Sequence, residues 1–391
     1  VTQHPHQHVR PLRYAIIAVA LAGLLGLAGC SGSPEVATSP PVESAAPEGE
    51  LSEDLQARLQ RALDDTMAEY DVPGAVAGVW IPGEGSWTTE NGTANIETGE
   101  PVSLEMQWPL RSLTKSFTAT LLLQLVDEGK MGLGDTIDQY VEGVTDGEKI
   151  TLRQLAEMSS GNADYTNDEF VAVLAEDQDR IFTLDELLSF MLGKPALFQP
   201  GTEKGYVNAN TNLIGAAIEK ATGQPFADVL EERILLPVGL HDTKYNVDAA
   251  DWTASHPIGY SPDGSEMVDQ LTNLSIFGPA GSMTSSLEDA RVWAEVLATG
   301  ELLAPETQAE RLKGAPLEFG PPYDSYAMGI GETDGWWGHN GEGLGFTAAL
   351  FHEPESGATI AVFMNESNLP DHSHPADQAF RRLAEVVRSL S

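Results

Sequence analysis

Apolar residues along the chain recur with two periods, and these separate helix-forming from strand-forming stretches. Leu51, Leu55, Leu59, Leu63 and Met67 fall at helical spacing and place one apolar stripe on a packing helix, which Pro73-Gly74 ends. GAVAGVWI (74–81) and SWTTENGTAN (86–95), separated by Pro82-Gly83-Glu84-Gly85, predict a β-hairpin. The next helix lies in WPLRSLTKSFTATLLLQLVDEGK, where Leu121, Leu122, Leu123, Leu125 and Val126 spread over more than one face, as in a helix buried on most sides. From about 133 to 265 the pattern is helical: Thr151 opens TLRQLAEM, Thr183 opens TLDELLSFML, and NANTNLIGAAIEKATG stops at Gly223. This stretch predicts a separate helical lobe. Ser286 and Asp289 predict a capping box before Leu287, Trp293, Val296 and Leu297. YAMGIG (326–331), LGFTAALF (344–351) and ATIAVFM (358–364) predict strands, and Phe380, Leu383, Val387 and Leu390 make the last helix amphipathic. Strands near both ends with helices inserted between them predict an α+β fold, with one antiparallel sheet assembled from N- and C-terminal parts and flanked by helices.

The N-terminus changes the picture of where this body resides. Arg10 and Arg13 form a short basic region, Tyr14 to Gly29 is uncharged and mostly apolar, and Leu27-Ala28-Gly29-Cys30 follows. This predicts a lipoprotein signal peptide over 1–29, because the apolar run is short for a spanning helix, which needs about 20 residues. Cys30, the single cysteine, would become the lipidated first residue of the mature chain, anchored to the outer face of the cytoplasmic membrane. His4, His6 and His8 fall in the discarded segment and are not a metal site. Residues 30–50 are rich in Ser, Pro and Glu, too polar to order themselves, and predict a tether reaching roughly 60 Å if extended. Residues 51–391 then form the catalytic body.

Composition excludes several partners. The formal net charge of −38 over 391 residues disfavours nucleic acid and long-range attraction of polyanions. With one cysteine no intrachain disulfide forms, so the fold rests on its core.

The candidate chemistry begins at Ser112-Leu113-Thr114-Lys115, which sets a hydroxyl and an amine on one face at the start of an apolar helix. Lys115 is placed to accept the Ser112 proton, backbone N–H groups at the helix start are free to face a developing oxyanion, and the helix dipole disfavours a charged ammonium there. Two further motifs accompany it, Tyr206-Val207-Asn208 before a helix and His339-Asn340-Gly341 before a strand. Together the three resemble the penicillin-recognising serine hydrolases, in particular the branch with class C β-lactamases, D-alanyl-D-alanine carboxypeptidases and related esterases, marked by S-x-x-K, Y-x-N and K-T-G or H-x-G. The resemblance runs over about residues 51–385 and includes ITLRQLAEMSSGNADY, FQPGTEKGY and GPAGSMTSSLEDA. Tyr165-Thr166-Asn167 is a second Y-x-N, but it follows the SSGNAD landmark of the lobe, which favours Tyr206.

The resemblance implies a β-lactamase/transpeptidase-like fold and an acyl-enzyme on Ser112, with Lys115 and Tyr206 sharing its proton. A neighbouring ammonium is expected to lower the Tyr206 phenol and make it a base. It further implies that Asn208 hydrogen-bonds a substrate amide, that the backbone N–H groups of Ser112 and Glu342 form the oxyanion hole, that His339 lines the pocket, and that Gly341 leaves room for substrate along the strand. Substrates are then small molecules or peptides, esters or cell-wall stem peptides among them, and no cofactor or metal is needed.

This chain departs from the family where a substrate carboxylate is gripped. It offers Asn340 and Glu342, and no Lys or Arg occurs between Lys313 and Arg381, leaving His339 as the nearby cation. Neutral or cationic esters and amides therefore fit better than carboxylates. Trp336 and Trp337 are expected in the core or at its rim rather than around an acyl pocket, and His372-Ser373-His374 in a solvated loop. Two other classes compete: a non-catalytic envelope lipoprotein binding peptide, peptidoglycan or penicillin on the same fold, and a solute-binding transporter component, which would lack the S-x-x-K helix.

Overall fold

The hairpin expected near residue 80 forms from β1 (Gly74–Ile81) and β2 (Gly85–Asn95), paired from Gly74↔Gly92 to Ile81↔Gly85 in a computed structural model that describes residues 46–263 and 266–390. The signal segment, Cys30 and the tether up to residue 45 lie outside the described residues. After β3 (Glu100–Pro101), the remaining strands come late in the chain: β4 (Ser325–Tyr326), β5 (Gly331–Thr333), β6 (Trp336–Gly343), β7 (Phe346–Glu353) and β8 (Ala358–Met364). They make one antiparallel sheet in the order β3-β2-β1-β8-β7-β6-β5-β4. The two ends of the chain join where β1 pairs with β8, from Ala75↔Met364 to Trp80↔Thr359.

Both faces of the sheet are covered, so the central strands are apolar at almost every position instead of alternating. Ala75, Ala77 and Val79 of β1 face the cluster formed with the Glu53–Glu69 and Pro375–Arg388 helices, while Val76 and Trp80 face a second cluster with Phe117, Trp293 and Leu297. The period-2 reversal of a strand puts successive residues into two cores. The second core continues without a break into the helices, where Phe117 of the nucleophile helix (Thr114–Asp127) stacks on Trp293 at 3.8 Å. Thr151 and Thr183 open their helices with reciprocal capping boxes to Gln154 and Glu186, and Asn208–Thr222 ends on left-handed Gly223. Among the described residues no helix is long and apolar enough to cross a membrane.

Four local expectations are corrected. The helical run stops at Val238; Lys244–Tyr245 then pairs with Met283–Ser285, and Tyr260–Asp263 with Glu266–Asp269. Such short strands are made by their partners and leave no periodicity. YAMGIG is two strands, because Gly329 turns the chain at φ 68 and lets it press on the nucleophile helix, where a Cβ would lie 2.3 Å from that of Ala119. His339-Asn340-Gly341 lies inside β6 and not before a strand; the glycines at 338, 341 and 343 mask it. Ser286 accepts the Asp289 N–H, but the Asp289 carboxylate is drawn to the Asp242 N–H and the Thr243 hydroxyl, so the reciprocal half of that capping box is absent.

Candidate active site

Ser112 sits in a single 3-10 turn, Arg111–Leu113, leading into the nucleophile helix. Arg111 holds a left-handed backbone, φ 51, a strained state for a residue with a Cβ. Its buried guanidinium lies 4.6 Å from the Phe277 ring and donates from Nε to the Gly343 carbonyl at 2.9 Å, tying the turn to the end of β6. Gly341 serves the same approach: a Cβ there would stand 2.3 Å from the Leu110 carbonyl oxygen. The missing side chain lets the strand close on the nucleophile turn, where room for substrate had been expected.

Lys115 is buried one turn on and is the hub of the site. Its Nζ lies 2.9 Å from Ser112 Oγ, 2.8 Å from Asn208 Oδ1 and 3.0 Å from the Ala280 carbonyl. Burial pulls its pKa down to about 7, against the nearby Asp164 carboxylate, which works to raise it. Desolvation is thus the main cause of the shift. A neutral amine has two N–H bonds; directed at Asn208 and Ala280, they leave its lone pair facing the Ser112 hydroxyl. Asn208 is the first residue of its helix, not the cap, and both ends of its amide are engaged: Oδ1 by Lys115, Nδ2 by Asp164 Oδ2 at 3.0 Å. Asp164 also accepts the Asn208 and Ala209 backbone N–H groups, capping that helix from outside. Asn208 therefore orients Lys115, and the second N–H of its amide is left for the cavity that it lines, as the substrate contact expected from the motif requires.

Tyr206 completes the cluster, with Lys115 Nζ 5.0 Å from its ring centroid. Its hydroxyl is buried, beside the Ser112 hydroxyl. Burial first, then Tyr326 and Tyr323, hold its pKa well above the usual phenol range, with the adjacent Ser112 hydroxyl opposing. The expectation of a phenolate lowered by the ammonium is overturned: Lys115 sits over the ring face, and desolvation dominates. Tyr206 rests as a protonated donor. His339 is likewise buried, between the Tyr323 and Tyr326 hydroxyls at 3.2 Å each, and burial followed by the Lys115 charge lowers its pKa to about 3. It is a neutral prop behind Tyr206 and neither lines the cavity nor supplies a cation.

The cavity itself, about 360 Å³, is lined by Ser112, Tyr206, Asn208, Asn340 and Glu342, together with Gly320, Pro321, Pro322, His372 and His374. Asn340 Oδ1 accepts from the Tyr323 hydroxyl at 2.6 Å, while its buried Nδ2 has no partner. Trp336 packs in the core against Phe380, away from the cavity, as expected. Tyr165 is buried and donates to the Ile276 carbonyl, and Asn167 caps a helix, so the second Y-x-N is structural. Sequence reasoning missed Asp164, the Ala280 carbonyl, Tyr323 and the two cavity-lining histidines. An acid next to the second Y-x-N and a Gly-Pro-Pro turn were the available signals. Among the described residues no group of three or more His, Cys, Asp or Glu side chains is arranged to hold a metal ion.

Comparison with known proteins adds to this geometry. A family model described as Beta-lactamase matches residues 59–384. A D-aminopeptidase of Brucella anthropi is 29% identical over 304 residues, which is 75% of this chain but 56% of that protein, so the chain spans little more than half of its length. A D-stereospecific amidohydrolase from Streptomyces sp. superposes with a TM-score of 0.71 at 28% identity, over 83% of this chain and 97% of that one. A D-amino acid amidase from Ochrobactrum anthropi SV3 shares the fold, with a TM-score of 0.77 at 24% identity over 86% of this chain and 99% of the other.

Proposed function

Since this chain belongs to the beta-lactamase family, we propose that it is a serine hydrolase that forms an acyl-enzyme on Ser112 and cleaves small amides, with a D-amino acid on the acyl side. The observation that carries this reading is the unbroken sequence of contacts Asp164–Asn208–Lys115–Ser112 ending in an open cavity. Neutral Lys115 takes the Ser112 proton as Oγ bonds to the carbonyl carbon, and the N–H groups of Ser112 and Glu342 receive the oxyanion. The proton then passes from Lys115 through the Tyr206 hydroxyl to the leaving nitrogen, and the C–N bond breaks. Water enters, gives its proton back along the same path, and releases the acid and Ser112. The names of the relatives favour D-amino acid amides over the carboxypeptidase and β-lactam readings, as does a cavity wall without Lys or Arg. We also propose export and tethering through Cys30, to be checked by radiolabelled palmitate incorporation into wild type and Cys30→Ala.

The test is labelling with a fluorophosphonate, wild type against Ser112→Ala, paired with ammonia release from D- and L-phenylalanine amide. A Ser112-dependent adduct with faster release from the D-amide is expected. No Ser112-dependent adduct would favour the non-catalytic binding protein, and faster L-amide release would overturn the stereochemical part.

A further inference from the structure

Glu342 is the single acidic side chain lining the reaction cavity, and it stands exposed at the edge of β6. It does not stand alone. Across the ladder it pairs with Thr347, whose hydroxyl donates to the Glu366 carbonyl at 3.1 Å, and the Asn368 N–H donates to Glu342 Oε1 at 3.3 Å. Glu366 thus lies beneath Glu342, with none of its surface exposed and neither carboxyl oxygen hydrogen-bonded. Burial first, then Glu342 and Asp371, push its pKa up to about 8. Burying an acid with both oxygens unpaired is costly, and a second acid above it adds to that cost. One cation at the rim would offset both.

Among the described residues no Lys or Arg lines the cavity to do so, and its basic side chains are His372 and His374. Arg111 gives its Nε to the Gly343 carbonyl behind the nucleophile turn and keeps a buried Nη1 without a partner, and Arg381 is bound to Asp377 at 2.7 Å. The substrate's position follows from the reaction. With its carbonyl carbon at Ser112 Oγ and its oxygen toward the Ser112 and Glu342 N–H groups, the first atoms of the acyl group fall next to residue 342. In an aminoacyl substrate the α-amine is two bonds from that carbon.

We propose that Glu342, backed by Glu366, is a specificity-determining acid that receives the α-ammonium of the substrate, so that the enzyme selects free-amine amides over N-acylated ones. This rests on the acyl-enzyme reading above and adds to it the residue that reads the acyl group. The carboxylate would work by ion pairing with a group the N-acetyl analogue lacks. It therefore acts on the ratio between the two substrates.

The experiment compares kcat/KM for D-phenylalanine p-nitroanilide and its N-acetyl derivative in the full chain, for wild type, Glu342→Gln, Glu342→Asp and Glu366→Gln, each also labelled with fluorophosphonate. Wild type is expected to favour the free amine. Glu342→Gln should lower the ratio by about 30-fold, Glu342→Asp should restore part of it, and Glu366→Gln should lower it by about threefold. An unchanged ratio in Glu342→Gln, or a wild type that favours the N-acetyl substrate, overturns the proposal while Ser112 labelling persists. Loss of labelling in wild type overturns the acyl-enzyme reading, and this inference with it.

Discussion

The two walls of the cavity differ in how their polar groups are satisfied. On the helical wall, Lys115, Asn208 and Asp164 each meet partners within the protein, at 2.8 to 3.1 Å. On the strand wall, Asn340 Nδ2 has none, and behind that wall the two oxygens of buried Glu366 have none either. A hydrogen-bonded network holds one arrangement of amine and hydroxyl before any substrate arrives, which is what proton transfer needs. Unpaired groups at a cavity wall gain most from a ligand, which is what recognition needs. The division assigns reactivity to the helices and selection to the sheet.

That division breaks most visibly if the helical wall is cut and turnover survives. Lys115→Ala should lower acylation by at least about 10³-fold and Tyr206→Phe by about 10²-fold, within the range of general-base and relay contributions. Stopped-flow acylation by D-phenylalanine p-nitroanilide, whose leaving nitrogen must be protonated, measures both, and near-normal rates in the pair would reject the assigned roles. With neutral Lys115 as the proposed base and its pKa at about 7, the wild-type acylation rate should rise with pH through about 7. A limb that falls over that range would mean that the ammonium is the active form.

Asp164→Asn sharpens the comparison at smaller amplitude. Asp164 does not line the cavity; it holds Asn208 and adds a negative charge that favours the Lys115 ammonium. Its loss should cost about tenfold in kcat through misplacement of Asn208. Removing the charge should also shift the rising limb of the pH profile to lower pH, which a purely structural role would not do.

The same contrast governs what could be seen in the chain alone. Ser112 and Lys115 were legible because their partnership is local, three residues apart on one turn. The partners that tune Lys115 are not: Ala280 contacts it from 165 residues away and Asp164 reaches Asn208 across 44, through loops with no periodicity to mark them. The sheet was legible where strands are apolar on both faces, as in β8, and hidden where glycines interrupt, as in β6. Charge states were the least visible. Tyr206 was expected to be lowered by the ammonium and His339 to serve as a cation, and only their burial beside Tyr323 and Tyr326 reverses both.

The smallest effect tests whether the strand wall carries a cost in the free protein. The Glu366 carboxyl has a folded-state pKa of about 8, raised from the ordinary 4.5 chiefly by burial. Between those values the unfolded chain is ionised while the folded protein keeps the proton, so the folded state binds more protons and stability falls as pH rises. Below about 4.5 both states are protonated and the penalty vanishes; it reaches its full size above about 8. Glu366→Gln keeps the shape and removes the ionisation. Its Tm should therefore exceed that of wild type by about 5 °C at pH 8, with the gap closing as pH falls toward 4.5. A substrate-like cation should close the same gap in wild type by pairing with the acids, so adding D-phenylalanine amide to the Ser112→Ala protein at pH 8 should raise its Tm more than it does in the Ser112→Ala/Glu366→Gln protein. Equal shifts in the two would mean that the buried acid does not feel the ligand, and the wall would then be unsatisfied for some reason other than recognition.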